Sequence, residues 1–398
     1  MKSSVFVLIT IFLFSSCTKV PSAYADGFQT EAEKSALDVD AILLEKAADL
    51  VRLMTDAQLA AQVIMTGVDA QGPPDNIEKK RLRRIPAGAV MLFRKNLGAD
   101  TEAIRRMTGE FCAEAGYQLE GTDVYIEPFI AVDHEGGDVH RFGDGVERLP
   151  SPLSYFELAE HDGREAALSA VEADAARSAK ELAALGITMN LAPLAEVLTD
   201  ENRDFLGTRS YGPDTDFTKS AAAAFMRGMK AAGIVCVIKH FPGNAGADPH
   251  LETPFMAGGE ESLRQAAAPF AALAAAAGGV MVSHVIVPVW DKTRNASLSE
   301  TVMKQKLRGE FGFGGIILAD DFSMGAVSGG YGTAEKSVAA LAAGADMVMA
   351  WPRNLLSVHG AILSALSDGS LPRSRLEDAA SRIIREKLRM KLPAAKQL

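Results

Sequence analysis

Eight short apolar runs recur along this chain, and longer segments of helical pattern separate them. They occupy 63–68, 87–93, 129–133, 187–193, 234–240, 279–285, 315–320 and 345–350. Between them lie Ala-rich amphipathic stretches such as 166–185, 217–232 and 334–343. A run too short for a helix, without polar alternation, reads as a strand buried on both faces, and strands separated by helices read as βαβ units. About eight such pairs predict a single (β/α)8 barrel of the TIM type rather than an open sheet. No Gly-rich phosphate fingerprint follows the first strand, and no linker or shift in composition marks a second domain. The barrel is expected over 51–398, closing on a terminal helix rich in Arg and Lys.

Composition narrows the partners. The chain has 398 residues, 48% of them hydrophobic, and a formal net charge of -10. A core of that size is easily buried, whereas an acidic surface disfavours nucleic acid, whose phosphates need a basic one. At the N-terminus a lysine precedes the apolar run 5–14 and then Ser15-Ser16-Cys17, the layout of a secretory signal over 1–25, with 26–50 as leader or linker. Cys17 after small residues matches lipid-anchored processing, and Ala23-Tyr24-Ala25 matches an ordinary signal-peptidase site. The expected location is therefore the cell envelope, periplasmic or lipid-anchored through Cys17. Cys112 and Cys236 read as two buried free thiols rather than a disulfide.

Polar residues collect where the runs end: Asp133-His134-Glu135, Lys239-His240, Ser283-His284 and Asp320-Asp321. Reactive groups on a barrel gather at the carboxyl ends of its strands, so these positions are expected to meet at one face. Arg141 and Arg209 also follow strand ends. On a strand, adjacent residues point to opposite sides, so one of Asp320 and Asp321 is expected to face the pocket while hydrogen bonds hold the other. After Lys239-His240 the chain breaks into Phe241-Pro242-Gly243 and small residues, then Asp248-Pro249-His250. There a carboxylate two residues from an imidazole can orient it and raise its basicity. Lys239 also has the chemistry for a Schiff base, although its neighbour His240 fits the binding of ligand hydroxyls better. Asp133, His134 and Glu135 are plausible metal ligands by residue type, but their spacing matches no known compact metal site. Neither metal nor cofactor is expected.

Together the segments Asp133-His134-Glu135-Gly136-Gly137-Asp138-Val139-His140-Arg141-Phe142, Lys239-His240-Phe241-Pro242-Gly243, Asp248-Pro249-His250 and Ala319-Asp320-Asp321-Phe322-Ser323-Met324 resemble glycoside hydrolase family 3. The resemblance is strongest to its bacterial β-N-acetylglucosaminidase branch. It implies a single-barrel, retaining exo-β-N-acetylhexosaminidase that acts on cell-wall fragments or chitin-type oligosaccharides; a monomer is the expected state. By motif position Asp320 is implied as the nucleophile, His250 as the acid/base with Asp248 orienting it, and Asp133, Arg141, Arg209, Lys239 and His240 as sugar-binding residues. Several positions depart from the family pattern. Asn244 replaces a His, Pro249 replaces a Ser, Asp138 and Glu196 stand where Arg and Asp are usual, and the loop from Gly243 to Asp248 is shorter. The same resemblance leaves two rivals: a lipid-anchored sugar-binding protein that has lost catalysis, and a β-glucosidase.

Overall fold

In the computed structural model the described residues are 31–391, apart from 70, 99, 144, 244–252 and 324–331, and side chains are described from residue 39. All eight apolar runs are strands: β1 (Ile64–Gly67), β2 (Ala89–Leu92), β3 (Phe129–Val132), β4 (Met189–Asn190), β5 (Val235–Phe241), β6 (Gly279–Val282), β7 (Ile316–Ala319) and β8 (Val348–Ala350). They pair in parallel in the spatial order β7-β6-β5-β4-β3-β2-β1-β8. A parallel bridge between Leu318 and Met347 brings β7 to the start of β8, which closes the sheet into the expected barrel. Every residue of these eight strands is buried, because helices cover the outer face and side chains fill the inner one. Each buried Val, Leu or Ile contributes roughly 1.5–3 kcal/mol, so the apolar runs drive closure as well as mark it.

The helices follow the predicted pattern. The helix Asp56–Gln62 starts at Thr55, which forms a reciprocal capping box with Gln58. The helices Arg164–Ala184, Thr215–Lys230 and Thr333–Ala343 cover the three Ala-rich stretches, and Arg373–Met390 is the basic terminal helix. One expectation needs correction: within the stretch read as leader or linker over 26–50, a helix runs from Glu31 to Arg52. It packs against Arg373–Met390 and buries Ala47, Leu50 and Val51, an amphipathic stripe hidden among polar residues. Cys112 and Cys236 are both free thiols. The signal segment with Cys17 lies outside the described residues.

Two local features aim residues at the carboxyl end of the barrel. The pairing of β5 with β6 shifts register between Ile238 and Phe241, an irregularity of the kind that re-aims side chains near active sites. Lys239 and His240 sit within it. Below them Phe241 is wedged among Phe270, Trp290 and Phe311, with ring centroids 5.4 to 6.0 Å away, so the strand end is firmly seated. After β3, Gly136 and Gly137 take φ of 102° and 52°, which turns the chain back so that Glu135 N–H bonds Val139 C=O at 3.1 Å. A Cβ on Gly136 would lie 2.3 Å from the Pro150 carbonyl. The turn carries Arg141 back over Asp133.

Candidate active site

A cavity of about 270 Å³ opens at the carboxyl ends of the strands, and Asp133, Arg141, Arg209, Lys239, His240 and Asp320 all line it. These residues are scattered over 133–320 in sequence, and barrel closure alone brings them together. Asp248 and His250, the implied acid/base dyad, lie outside the described residues. A larger hollow of about 690 Å³ lies at the opposite end of the barrel, bordered by Ala223, Met226, Ile234 and Val235. The predicted residues converge on the smaller, polar one.

Its charged wall is a chain of ion pairs. Lys239 Nζ stands 2.6 Å from Asp133 Oδ1 and 2.7 Å from Glu135 Oε1. Arg209 donates through Nε and Nη2 to the two oxygens of Glu135, both at 2.8 Å, a bidentate pair that fixes the guanidinium plane. Arg141 reaches Asp133 Oδ2 at a longer 3.3 Å, and its Nε makes no hydrogen bond to the described residues. That leaves Arg141 with donors to spare. Asn190, at the end of β4, clamps the neighbouring backbone by accepting from His134 N–H and donating to His134 C=O, each at 2.9 Å.

Electrostatics follow from this packing. Burial alone would raise the Asp133 carboxyl, but Lys239 and Arg141 outweigh it and hold the group below the usual carboxylate range. The same contest, with Lys239 and Arg209 as the cations, holds Glu135 well below its ordinary value. Burial would likewise lower Lys239, yet Asp133 and Glu135 keep its pKa raised. A lysine held this firmly as an ammonium is a poor nucleophile, which argues against the Schiff base weighed from sequence. Two of its three donors are taken and one remains for a ligand.

His240 bonds Glu196 Oε1 through Nδ1 at 2.7 Å, and its backbone N–H reaches the same oxygen at 3.2 Å. A carboxylate only accepts, so Nδ1 carries the proton and Nε2 is left for a second partner. Glu196, seen in the sequence only as an unusual residue, is the buried acceptor that sets this tautomer. Glu135, weighed as a metal ligand, anchors Lys239 and Arg209 instead. His134 lies against His140 and Phe142, with ring centroids 5.2 and 5.5 Å away. Among the described residues no group of three or more His, Cys, Asp or Glu is placed to hold a metal ion.

The acidic pair differs from expectation. Both Asp320 and Asp321 line the cavity, because β7 ends at Ala319 and strand alternation no longer governs them. Asp321 is nevertheless the one held by hydrogen bonds, from Trp351 Nε1 at 2.7 Å and Ser323 Oγ at 2.6 Å. Trp351 and Phe93 also line the cavity and meet edge to face with centroids 5.2 Å apart. Neither aromatic was singled out in the sequence. Trp351 follows the last apolar run directly, and that position was the one available signal.

Residues 53–386 match the family described as glycosyl hydrolase family 3 N terminal domain. A beta-hexosaminidase of Idiomarina loihiensis is 34% identical over 289 residues, which cover 71% of this chain and 82% of that protein. A solved glycoside hydrolase family 3 beta-N-acetylglucosaminidase from Paenibacillus sp. aligns with a TM-score of 0.77 at 28% identity. That match covers 85% of this chain and 63% of the Paenibacillus chain, so the present chain spans a little under two thirds of it. Native NagZ from Neisseria gonorrhoeae aligns with a TM-score of 0.66 at 28% identity, covering 81% of this chain and 96% of that one.

Proposed function

The chain belongs to glycosyl hydrolase family 3, and on that premise we infer that it is a β-N-acetylhexosaminidase that releases terminal N-acetylglucosamine with retention of configuration. The observation that carries this reading is the cavity itself, with Asp320 on one side and the Asp133, Lys239 and Arg141 cluster on another. At about 270 Å³ it is smaller than the roughly 300–1,000 Å³ of sites for larger organic ligands, which suits a single sugar unit bound from the chain end. Asp133 accepts from sugar hydroxyls, Arg141 and Lys239 have donors left to give, and His240 Nε2 is left to accept from a hydroxyl.

In this mechanism a carboxylate oxygen of Asp320 attacks C1 of the sugar as the C1–O bond to the leaving group breaks. His250 gives its proton to the departing oxygen, and Asp248 stabilises the change of charge. Water then attacks C1, loses a proton to His250 and releases Asp320 from the ester. A histidine here departs from the usual pair of carboxylates in glycosidases. The roles of Asp248 and His250 rest on the sequence motif. Cell-wall fragments or chitin-type oligosaccharides as substrate, and export to the cell envelope, are part of the same proposal; export rests on residues 1–25.

The test is turnover of an aryl β-N-acetylglucosaminide by the purified protein, beside Asp320→Ala and His250→Ala. Each variant is expected to lose about 10³-fold or more in kcat. Wild-type rates in either variant would remove that residue from the mechanism. An inactive wild type that still binds the sugar tightly would favour the binding-protein rival, and faster cleavage of the aryl glucoside would favour the β-glucosidase.

A further inference from the structure

Asp320 and Asp321 share a cavity but are held very differently. Asp320 Oδ1 accepts the backbone N–H of Asp321 at 2.8 Å. Asp321 is gripped from several sides: Oδ2 accepts from Trp351 Nε1 and Ser323 Oγ, Oδ1 accepts from Ser323 N–H at 2.8 Å, and its carbonyl accepts from His284 Nε2 at 2.9 Å. That carbonyl can only accept, so His284 Nε2 carries the proton and Nδ1 takes one from Ser297 Oγ at 2.7 Å. The His284 ring also stacks on Phe322.

The indole is itself held in place. Its ring packs edge to face on Phe93, and a Cβ on Gly67, at the end of β1, would stand 2.8 Å from Trp351 Cε3. Only glycine at 67 leaves room for the ring where it lies. A side chain this closely seated presents its N–H to Asp321 in one direction, and a charge-assisted bond to a carboxylate is the stronger kind.

We propose that Trp351 is a positioning residue for the nucleophile. Its N–H holds the Asp321 carboxylate back, which in turn sets the Asp321 backbone N–H against Asp320 Oδ1 and leaves Asp320 Oδ2 as the attacking oxygen. The proposal rests on reading Asp320 as the nucleophile. Without the indole N–H, Asp321 can rotate toward Asp320, where two carboxylates repel, and the backbone N–H moves with it.

The experiment compares Trp351→Phe, Asp321→Asn and the double variant of the full chain on an aryl β-N-acetylglucosaminide. Trp351→Phe keeps a ring and deletes the donor. We expect kcat to fall about tenfold with KM changed less than about twofold, because the bond acts on the reacting carboxylate rather than on sugar binding. In the D321N background the same change should cost less than about twofold more, since the partner it acts through is already altered. A full tenfold loss in that background, or W351F within about twofold of wild type, overturns the proposal. Should W351F fail to fold, exposed Ser323→Ala removes another donor to the same oxygen, and an unchanged kcat there overturns it equally. An inactive wild type defeats the underlying assignment and this proposal with it; an active wild type with an unaffected W351F defeats this proposal alone.

Discussion

The two ends of the barrel each set a carboxylate among cations, and they do so to opposite effect. At the amino end, Asp346 is completely buried just before β8. Its Oδ2 accepts from Arg308 and from Ile317 N–H, and its Oδ1 from Arg375 and Arg382 at 3.1 and 3.2 Å. All four acceptor directions of that carboxylate are used, and the arginines come from two helices, so the group clasps them to β7. At the carboxyl end, Asp133 is answered by one short contact from Lys239 and one long one from Arg141, beside an open cavity. The first arrangement is saturated; the second keeps capacity for a ligand. A closed cluster secures the fold, whereas an open one of similar composition is suited to binding, in line with the division of roles between the two faces of such barrels.

The largest expected effect tests the closed cluster. Asp346→Ala leaves three arginines without their shared carboxylate and should lower stability by about 3–5 kcal/mol, read as a fall in the urea midpoint, with kcat per folded molecule unchanged. An unchanged midpoint would break the comparison at its structural end. Asp133→Asn tests the open cluster and should reverse the pattern. We expect kcat/KM to fall about 10²-fold, while stability shifts by about 1 kcal/mol because Glu135 still holds Lys239. Large destabilisation with little loss of rate would show that both ends are clasps.

The smallest effect is in pH dependence. Burial, then the neighbouring His140, pushes the pKa of His134 down to about 3. An unfolded histidine takes up its proton near pH 6.5, and the folded one does not until far lower, so stability is lost as pH falls below about 6.5. His284, also lowered by burial, adds to the same window. Asp133, Glu135 and Asp346 have depressed pKa values, so their stabilisation is present above about pH 4 and lost as pH falls through their folded values. His134→Gln should therefore reduce the slope of unfolding free energy against pH between about 6 and 4.5, by about 1 kcal/mol per pH unit, and leave the steeper loss below pH 4 in place. An unaltered slope would mean that His134 takes up its proton while the protein is folded.

Much of this was legible in the chain. Each of the eight runs supplies one of the eight strands, most of them shorter than the run and the fourth only Met189–Asn190, and Asp133, Arg141, Arg209, Lys239, His240 and Asp320 do meet at one cavity. The helix Glu31–Arg52 was missed although Leu43, Leu50 and Val51 mark its buried stripe, because the helix it packs against lies more than 300 residues away, in Arg373–Met390. Glu196, Asn190 and Trp351 were missed as members of the site for a related reason. Their partners stand 30 to 56 residues off, and nothing in their spacing announces them.

Strand and helix periodicity, and the habit of polar residues to follow strand ends, are properties of consecutive residues, so the amino-acid order is enough to set the barrel and to nominate its active face. Which donor answers which carboxylate is decided by distances of about 3 Å across the closed barrel. That geometry makes Lys239 an ion-paired ammonium rather than a nucleophile, sets Glu196 behind His240, and places an indole N–H on the carboxylate beside Asp320.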